Sequence, residues 1–161
     1  MGMEFIKMNS PVGKLTLIAS DKGLSAILWE YEKPNRVKIK LGKKNPSNPI
    51  LIQAKSQLEE YFKGERSCFD LELDPVGSEF QINVWKKLQK IPYGQTASYK
   101  DLALSLGKPT AARAVGMANG KNPLSIVVPC HRVIGASGAL TGYAGGIENK
   151  VRLLKLEKTA F

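Results

Sequence analysis

The chain has 161 residues, of which 43% are hydrophobic, and it carries a formal net charge of +10. Such a length and composition are typical of a globular protein with one domain or two small ones. No apolar run approaches the roughly 18–20 residues that span a membrane, and the N-terminus carries a charge where a signal peptide needs its apolar stretch, so we expect a cytoplasmic protein with no membrane partner.

The positive charge is unevenly distributed along the chain. Residues 1–75 carry 12 Lys and Arg against 10 Asp and Glu, a net of +2, whereas residues 76–161 carry 12 against 4, a net of +8. This charge favours a nucleic acid as the partner of the second half. Lysines on solvated faces explain the charge equally well, so sequence motifs must decide between these two interpretations.

Short apolar segments, separated by turn compositions, open the chain at 3–8, 13–20 and 23–30. Their partial alternation predicts an antiparallel meander. The next stretch, 33–49, is basic and rich in Pro and Asn. It predicts an exposed excursion with a short strand at Val37–Leu41.

A helix and a final strand are predicted for the rest of the first half. Apolar residues recur at helical spacing between Ile50 and Phe62, and Gly64 follows as a stop signal. A strand at 67–73 would then close an α/β unit.

The segment 74–77, Asp-Pro-Val-Gly, has the composition of a turn, and the pattern beyond it changes from strands to short helices. We therefore expect two domains. The first is an α/β domain at 1–75, and the second is a mostly helical domain at 76–161.

Capping boxes mark the first two helices of the second half. They are Ser-x-x-Gln at 78–81 and Ser-x-x-Asp at 98–101, each ahead of apolar residues at helical spacing. Gly107 is placed to end the second of these helices. Thr110 is predicted to cap a third helix that continues to about Asn119.

The predicted helices at 98–106 and 110–119, with a short turn between them, have the arrangement of a helix-turn-helix. The second of them contains the sequence TAARAVGMANG. Its small side chains would allow the helix backbone to approach a duplex closely, while the Arg113 side chain projects from the helix. An Ala- and Gly-rich helix could instead pack tightly against a neighbouring helix. The charge of the second half favours DNA binding.

Residues 122–133, NPLSIVVPCHRV, predict a turn, a short apolar strand, a Pro that interrupts pairing, and then Cys130 beside the chain's only histidine. A thiol has a free pKa of about 8.5 and needs a nearby base or cation to become a thiolate. His131 is the only imidazole available for this. Cys130 is therefore the candidate nucleophile.

The alternatives for the cysteines are less specific. A buried, inert thiol is the usual state of a single cysteine, and we prefer it for Cys68, which lies in a strand pattern. A chain of this size and apolar content does not need a disulfide, so both cysteines are expected to be free. Two Cys and one His are too few for a zinc site, so we expect no metal and no cofactor.

Residues 78–157 resemble the O6-alkylguanine-DNA alkyltransferases, or methylated-DNA–protein-cysteine methyltransferases. The resemblance rests on Pro129-Cys130-His131-Arg132-Val133 and on four motifs in the family's order: PYGQTASYKDLA at 92–103, AARAVGMANGKNP at 111–123, VVPCHRVIGASGALTGYAGG at 127–146 and K-x-x-L-L-x-x-E at 150–157. Residues 1–75 match only in general character. The implied fold is an α/β N-terminal domain with an RNase H-like antiparallel sheet and a helix, followed by a mostly helical, winged-helix-like domain with a helix-turn-helix.

The resemblance also implies a function. The protein would be a monomer that binds the minor groove of double-stranded DNA, flips out O6-alkylguanine, and transfers the alkyl group once and irreversibly to Cys130. O4-alkylthymine would be a further substrate. The implied catalytic residues are Cys130, His131, Glu157, Tyr99, Asn122 and Lys150. The implied substrate pocket comprises Val133, Ser137, Tyr143, Ala144 and Gly145. The implied DNA contacts are Arg113, Thr110, Ala111, Ala114, Gly116 and Asn119.

Individual roles follow from the same resemblance. His131 would activate Cys130 through a water, and Glu157 would orient the imidazole, as in a catalytic triad with a thiol in place of the hydroxyl. Asn122 would tie down backbone beside the site. Tyr99 would pass a proton to the guanine, and Arg113 would fill the gap that the flipped base leaves.

Two other protein classes share the helix-turn-helix. Alkyltransferase-like proteins keep the pocket but lack the acceptor cysteine and only flag lesions, and Cys130 argues directly against that class. A small transcription regulator has no use for Pro129-Cys130-His131-Arg132, and it would need a dimer to bind two half-sites.

Overall fold

Four strands form the sheet of the N-terminal half. The computed structural model describes residues 2–135, 137–138, 140 and 142–159. The sheet has the order β3-β2-β1-β4, and its strands are β1 (Glu4–Met8), β2 (Leu15–Ala19), β3 (Leu24–Leu28) and β4 (Lys43–Lys44). The pairs β1–β2 and β2–β3 are antiparallel, which confirms the predicted meander.

The strand predicted at Val37–Leu41 is wrong, because that segment has no regular structure. The edge strand is β4, which pairs in parallel with β1. The chain reaches the edge at Gly42, where φ is +75° and a Cβ would lie 2.0 Å from the Met3 carbonyl oxygen. Lys43 N then donates to that oxygen at 3.1 Å. Pairing therefore begins only after the glycine.

The strand predicted at 67–73 is also wrong, since only Leu73 forms an isolated bridge, to Leu24. Gln57 occupies backbone groups that a strand would need. Its Nε2 donates to Asp70 O at 2.9 Å, and Asp70 N donates to its Oε1 at 2.9 Å. Cys68, within this segment, is free but exposed, which corrects its interpretation as a buried thiol.

One helix packs on this sheet. Helix α1 (Pro49–Phe62) begins at Asn48, whose side chain accepts from two backbone N–H groups of the first turn. This satisfies donors that have no partner within the helix. The buried face of α1 includes Leu58 and Tyr61, which have no exposed surface. The predicted helix is confirmed, and Gly64 follows it at φ +76°.

The described residues of the C-terminal half form four α-helices, a short 3-10 helix and a small parallel sheet. The helices are α2 (Glu79–Leu88), α3 (Tyr99–Ser105), α4 (Ala112–Gly120) and α5 (Ile147–Leu156), and the sheet pairs β5 (Ala97–Ser98) with β6 (Val133–Ile134). Both predicted capping boxes are present, on α2 and α3. No helix among the described residues is long and apolar enough to cross a membrane.

Helices α3 and α4 pack against each other and against α2, which confirms the helix-turn-helix arrangement. Gly107, at φ +71°, follows α3 as predicted. The predicted cap is wrong, however. The N–H of Ala111 closes a turn on Lys108 O at 2.9 Å, so α4 begins at Ala112, two residues after Thr110. Its N-cap is therefore Ala111, whose methyl side chain cannot accept a hydrogen bond.

Candidate active site

Two tight turns present Cys130, in place of the predicted apolar strand. At Ile126 the φ angle is +76°, and Val127 N donates to Ser125 O at 2.9 Å, which makes a strained γ-turn. At Pro129, φ −79° and ψ 63° form the inverse γ-turn, with Cys130 N donating to Val128 O at 2.8 Å. A 3-10 turn over Cys130–Arg132 follows. The chain cannot stay extended through these bends.

Asn122 braces this loop. It is fully buried; its Nδ2 donates to Val128 O at 3.0 Å, and its Oδ1 accepts from Leu124 N at 3.0 Å. One amide thus connects both ends of the first γ-turn. A buried backbone group without a partner is costly, so this pairing stabilises the loop.

Arg36 holds the same loop from the N-terminal half, and sequence reasoning missed it. Its Nη1 donates to Gly120 O at 3.1 Å and to Asn122 O at 2.8 Å, at the end of α4. Glu32, four residues earlier, pairs with its guanidinium at 2.6 Å. The basic composition of 33–49 predicted solvent exposure, whereas Arg36 is buried. The i, i+4 spacing of Glu32 and Arg36 was the available signal.

The thiol of Cys130 is free and 2% exposed. Its Sγ lies 4.0 Å from the Tyr143 hydroxyl oxygen. Burial raises the pKa of Cys130, and hydrogen bonds to Asn122 and Tyr143 oppose that rise. The thiol is therefore protonated at neutral pH, and a nucleophilic reaction at sulfur requires a base.

His131 is fully buried, and its Nε2 lies 2.7 Å from Glu157 Oε2. Burial lowers the pKa of His131, and the hydrogen bond and negative charge of Glu157 only partly oppose this. The imidazole is therefore neutral at neutral pH. With its single proton on Nε2 and shared with the carboxylate, Nδ1 keeps a lone pair. Among the described residues, Nδ1 has no hydrogen-bond partner.

Glu157 connects three other buried residues, Tyr61, His131 and Arg132, and we call the four residues together the Glu157 cluster. Arg132 binds the carboxylate bidentately, with Nε at 2.8 Å from Oε1 and Nη2 at 3.0 Å from Oε2. The Tyr61 hydroxyl donates to Oε2 at 2.5 Å. Burial alone raises the pKa of Glu157, but hydrogen bonds from His131, Arg132 and Tyr61 lower it to about 2. The carboxylate is therefore ionised at neutral pH.

Sequence reasoning identified His131 and Glu157 but missed the other two members of the cluster. Tyr61 appeared only as an apolar position of a helix. Arg132 appeared only as part of the motif, and its neighbours in the sequence do not indicate that its side chain is buried.

The predicted pocket residues occupy different depths. Val133 is fully buried, and its carbonyl accepts from Lys150 Nζ at 2.6 Å. Tyr143 is buried, Ala144 and Gly145 are half-buried, and Ser137 is exposed. Burial lowers the pKa of Lys150.

Trp29, at the end of β3, supports the Tyr143 segment and was not predicted. Its ring meets Tyr143 edge to face, with centroids 5.6 Å apart, and its Nε1 donates to Ser125 Oγ at 3.0 Å. A Cβ at Gly145 would lie 2.5 Å from the indole. Only glycine fits there.

Helix α4 presents part of the predicted DNA face to solvent. Arg113, Ala114 and the preceding Thr110 are exposed, while Ala111 and Gly116 are half-buried. Asn119 is buried, so its side chain faces the protein interior instead of a ligand surface. Met117, which was not predicted, is 70% exposed one helical turn after Arg113.

Tyr99, at the start of α3, packs against α4. A Cβ at Gly116 would lie 3.6 Å from the Tyr99 ring. This ordinary van der Waals distance shows that the ring borders the exposed face of α4. The structure therefore brings Tyr99 beside the predicted DNA-contacting residues.

The burial of neutral His131 predicts a pH dependence of stability. Its pKa in the fold lies below the ordinary value of 6.5, so only the unfolded chain gains a proton as pH falls through 6.5. We therefore expect the free energy of unfolding to decrease between pH 7.5 and 5.5, by at most about 1.4 kcal/mol per pH unit. Urea unfolding at several pH values measures it. His131→Gln should remove the slope, since the chain has no other histidine; a slope that survives would contradict the assignment.

Comparison with known proteins agrees with this architecture. Residues 3–75 match the family described as "6-O-methylguanine DNA methyltransferase, ribonuclease-like domain", and residues 79–159 match "6-O-methylguanine DNA methyltransferase, DNA binding domain". The methylated-DNA--protein-cysteine methyltransferase of Mycolicibacterium paratuberculosis is 51% identical over 97% of this chain and 93% of that protein. That of Methanosarcina barkeri is 47% identical over 94% of each chain.

Solved structures agree as well. The crystal structure of Mycobacterium tuberculosis OGT in complex with DNA is 47% identical, covers 96% of this chain and 93% of that one, and has a TM-score of 0.87. The crystal structure of the Mycobacterium tuberculosis O6-methylguanine methyltransferase is 48% identical, covers 97% and 93%, and has a TM-score of 0.86. The sheet, the helix-turn-helix and these matches together show that the chain belongs to the methylated-DNA–protein-cysteine methyltransferase family.

Proposed function

We propose that this protein repairs DNA by moving the alkyl group of O6-alkylguanine, and of O4-alkylthymine, onto Cys130. The observation that carries the proposal is a buried thiol at Cys130, next in the chain to a buried histidine whose Nε2 lies 2.7 Å from the buried Glu157 carboxylate. That order of thiol, imidazole and carboxylate is the one used to activate a nucleophile.

The proposed reaction is a displacement at the alkyl carbon. His131 accepts the thiol proton through Nδ1, directly or through a water, and the thiolate attacks the carbon. The S–C bond forms as the C–O6 bond breaks, and the bonding electrons return to the guanine. Tyr99 supplies the proton that leaves the guanine neutral. Water does not cleave the resulting thioether, so each molecule acts once.

The proposed substrate is a flipped base in duplex DNA. The alkylated oxygen is buried in the base stack, so the nucleotide must be extruded before sulfur can reach it. The exposed small residues of α4 would allow the helix to enter the minor groove, where binding depends little on sequence. The M. tuberculosis relative solved with DNA supports this partner. We propose that one monomer acts alone.

One experiment tests the proposal. The protein is incubated with a duplex that contains O6-methylguanine, digested, and analysed by mass spectrometry. The expected product is one methyl group on the Cys130 peptide and unmodified guanine in the duplex. A methyl group found on another residue, or no transfer at all, would overturn the proposal.

Arg113 distinguishes two kinds of DNA contact. If it fills the space left by the extruded guanine, Arg113→Ala should slow repair of a paired duplex by about tenfold or more but leave reaction with the free O6-alkylguanine base unchanged. An ordinary phosphate contact would weaken binding to all duplexes alike and reduce the salt slope by roughly one unit. Single-turnover rates on both substrates measure the difference.

Lys108→Ala is the matched control, because Lys108 is an exposed cation in the turn before α4. It should show only the salt-dependent effect on binding. A lesion in a weakened base pair should partly rescue Arg113→Ala, since less unstacking is needed. Equal rate losses on duplex and free base would mean that Arg113 has a different role.

A further inference from the structure

The N-terminal half contributes a side chain to the active site. Tyr61 lies on the last turn of α1, is fully buried, and places its hydroxyl 2.5 Å from Glu157 Oε2. The same oxygen contacts His131 Nε2 at 2.7 Å. The phenol and the imidazole therefore share one carboxylate oxygen.

We propose that Tyr61 is a positioning residue for the reaction, and that its hydrogen bond to Glu157 fixes the carboxylate against His131 and limits how strongly it stabilises a charged imidazolium. The expected change in the rate of Cys130 alkylation rests on the proposed function. The effect of the Tyr61 hydrogen bond on His131 can be measured without any transfer reaction.

The physical argument concerns the negative charge on Oε2. Each hydrogen bond that a carboxylate oxygen accepts withdraws part of its negative charge. Less charge then remains to stabilise a proton on another partner, here the His131 imidazole. Arg132 already binds both oxygens, and Tyr61 adds a neutral donor to the one that faces His131. Without the phenol, Glu157 would favour the protonated imidazole more strongly.

Tyr61 does not act as an acid or a base in this site. Burial and the neighbouring Glu157 carboxylate raise its pKa, so it keeps its proton and acts as a donor. Aromatic rings surround it, with Phe62, Phe69 and Tyr93 centroids 5.4, 5.5 and 6.3 Å away. These contacts fix the direction of the hydroxyl.

Several charged or titratable groups face the His131–Glu157 pair from the elements packed around it. They are Tyr61 from α1, Tyr93 from the loop after α2, Arg132 from the 3-10 turn, and Lys150 from α5. Of these, Tyr61 is the one neutral donor that contacts the carboxylate oxygen shared with His131. Tyr61→Phe removes only that hydroxyl.

The test uses the fact that His131 is the only histidine in the chain, so its imidazole NMR signals need no assignment among several. In full-length protein with Tyr61→Phe, we expect the protonation midpoint of His131 to move upward by about 0.5–1 pH unit, which corresponds to about 0.7–1.4 kcal/mol. The acid limb of the pH–rate profile for Cys130 alkylation should move upward with it, because protonated His131 cannot accept the thiol proton.

Tyr93→Phe is the matched control. Tyr93 belongs to the same aromatic cluster, but its hydroxyl donates to Leu156 O at 3.4 Å and not to Glu157. It should leave both the midpoint and the acid limb in place. A purely structural role for Tyr61 would lower stability without moving either one.

A second variant covers the case in which Tyr61→Phe folds poorly. A ring-fluorinated tyrosine introduced at position 61 alone keeps the shape and is a stronger donor, so the His131 midpoint should move downward. Midpoints that do not change in either variant would overturn the proposal. Absence of alkyl transfer in the wild type would instead contradict the proposed function and leave the NMR result to be judged by itself.

Discussion

Cys130→Ser is expected to abolish alkyl transfer while leaving DNA binding intact. A serine hydroxyl has almost the same volume as the thiol, but its proton is too weakly acidic for His131 to remove at neutral pH. Arg113 lies on α4, whereas Cys130 lies in a separate 3-10 turn, so the substitution does not alter the helix that is predicted to contact DNA. The variant should therefore bind a duplex containing O6-methylguanine as tightly as the wild type does. Transfer is followed by methyl counting and binding by fluorescence anisotropy.

Cys68→Ser provides the matched control, because Cys68 is the other free cysteine and is exposed. It should accept one methyl per chain, like the wild type, and excess lesion DNA should exhaust both. Methylation of Cys68, or repeated turnover without added reductant, would contradict single transfer to Cys130.

Sequence periodicity predicted the elements that are determined by residues close together in the chain. The helix at Pro49–Phe62 and the capping boxes at 78–81 and 98–101 depend on spacing within one turn or a few turns, and all are present. The edge strand could not be predicted in the same way. It depends on where Gly42 meets the Met3 carbonyl, a contact between segments about 40 residues apart.

The active-site backbone was mispredicted for a related reason. The apolar run Leu124–Val128 has the composition of a strand, and the strained φ of Ile126 is tolerated only because Asn122 and Arg36 hold the surrounding backbone. Neither partner can be identified from the run itself.

The reacting residues were identifiable because they lie together in a specific motif, Pro129-Cys130-His131-Arg132. The aromatic residues that support them were not, since Tyr61 and Trp29 come from the other half of the chain and reach the site only through the fold. Buried aromatic residues at helical or strand spacing are usually core residues, and nothing in the sequence separates these from the rest.

Glu157→Gln is expected to slow transfer by about a hundredfold or more, since it weakens the activation of the base. The amide has no charge to orient His131, and it can present either an oxygen or an NH₂ group to Nε2. If the NH₂ group faces the ring, the imidazole proton shifts to Nδ1, and the lone pair that would accept the thiol proton is lost. DNA binding should change little.

The same substitution should also destabilise the fold. It leaves the Arg132 guanidinium buried without an anion, and breaking a buried ion pair typically costs about 3–5 kcal/mol. Rates must therefore be measured where unfolding curves show that the variant is folded. Glu148→Gln is the control, because Glu148 lies exposed on the first turn of the same helix and should alter neither quantity.

The pH dependence separates the two effects of Glu157. Its pKa of about 2 lies below the ordinary value of 4.5, so the carboxylate contributes stability that is fully present above pH 4.5 and is lost as pH falls toward 2. Glu157→Gln should therefore remove part of the acid destabilisation seen between pH 4.5 and 2, while the rate loss persists at pH 7 to 8. A variant that unfolds with the wild-type acid profile and alkylates Cys130 at the wild-type rate would show that Glu157 neither anchors the cluster nor orients His131.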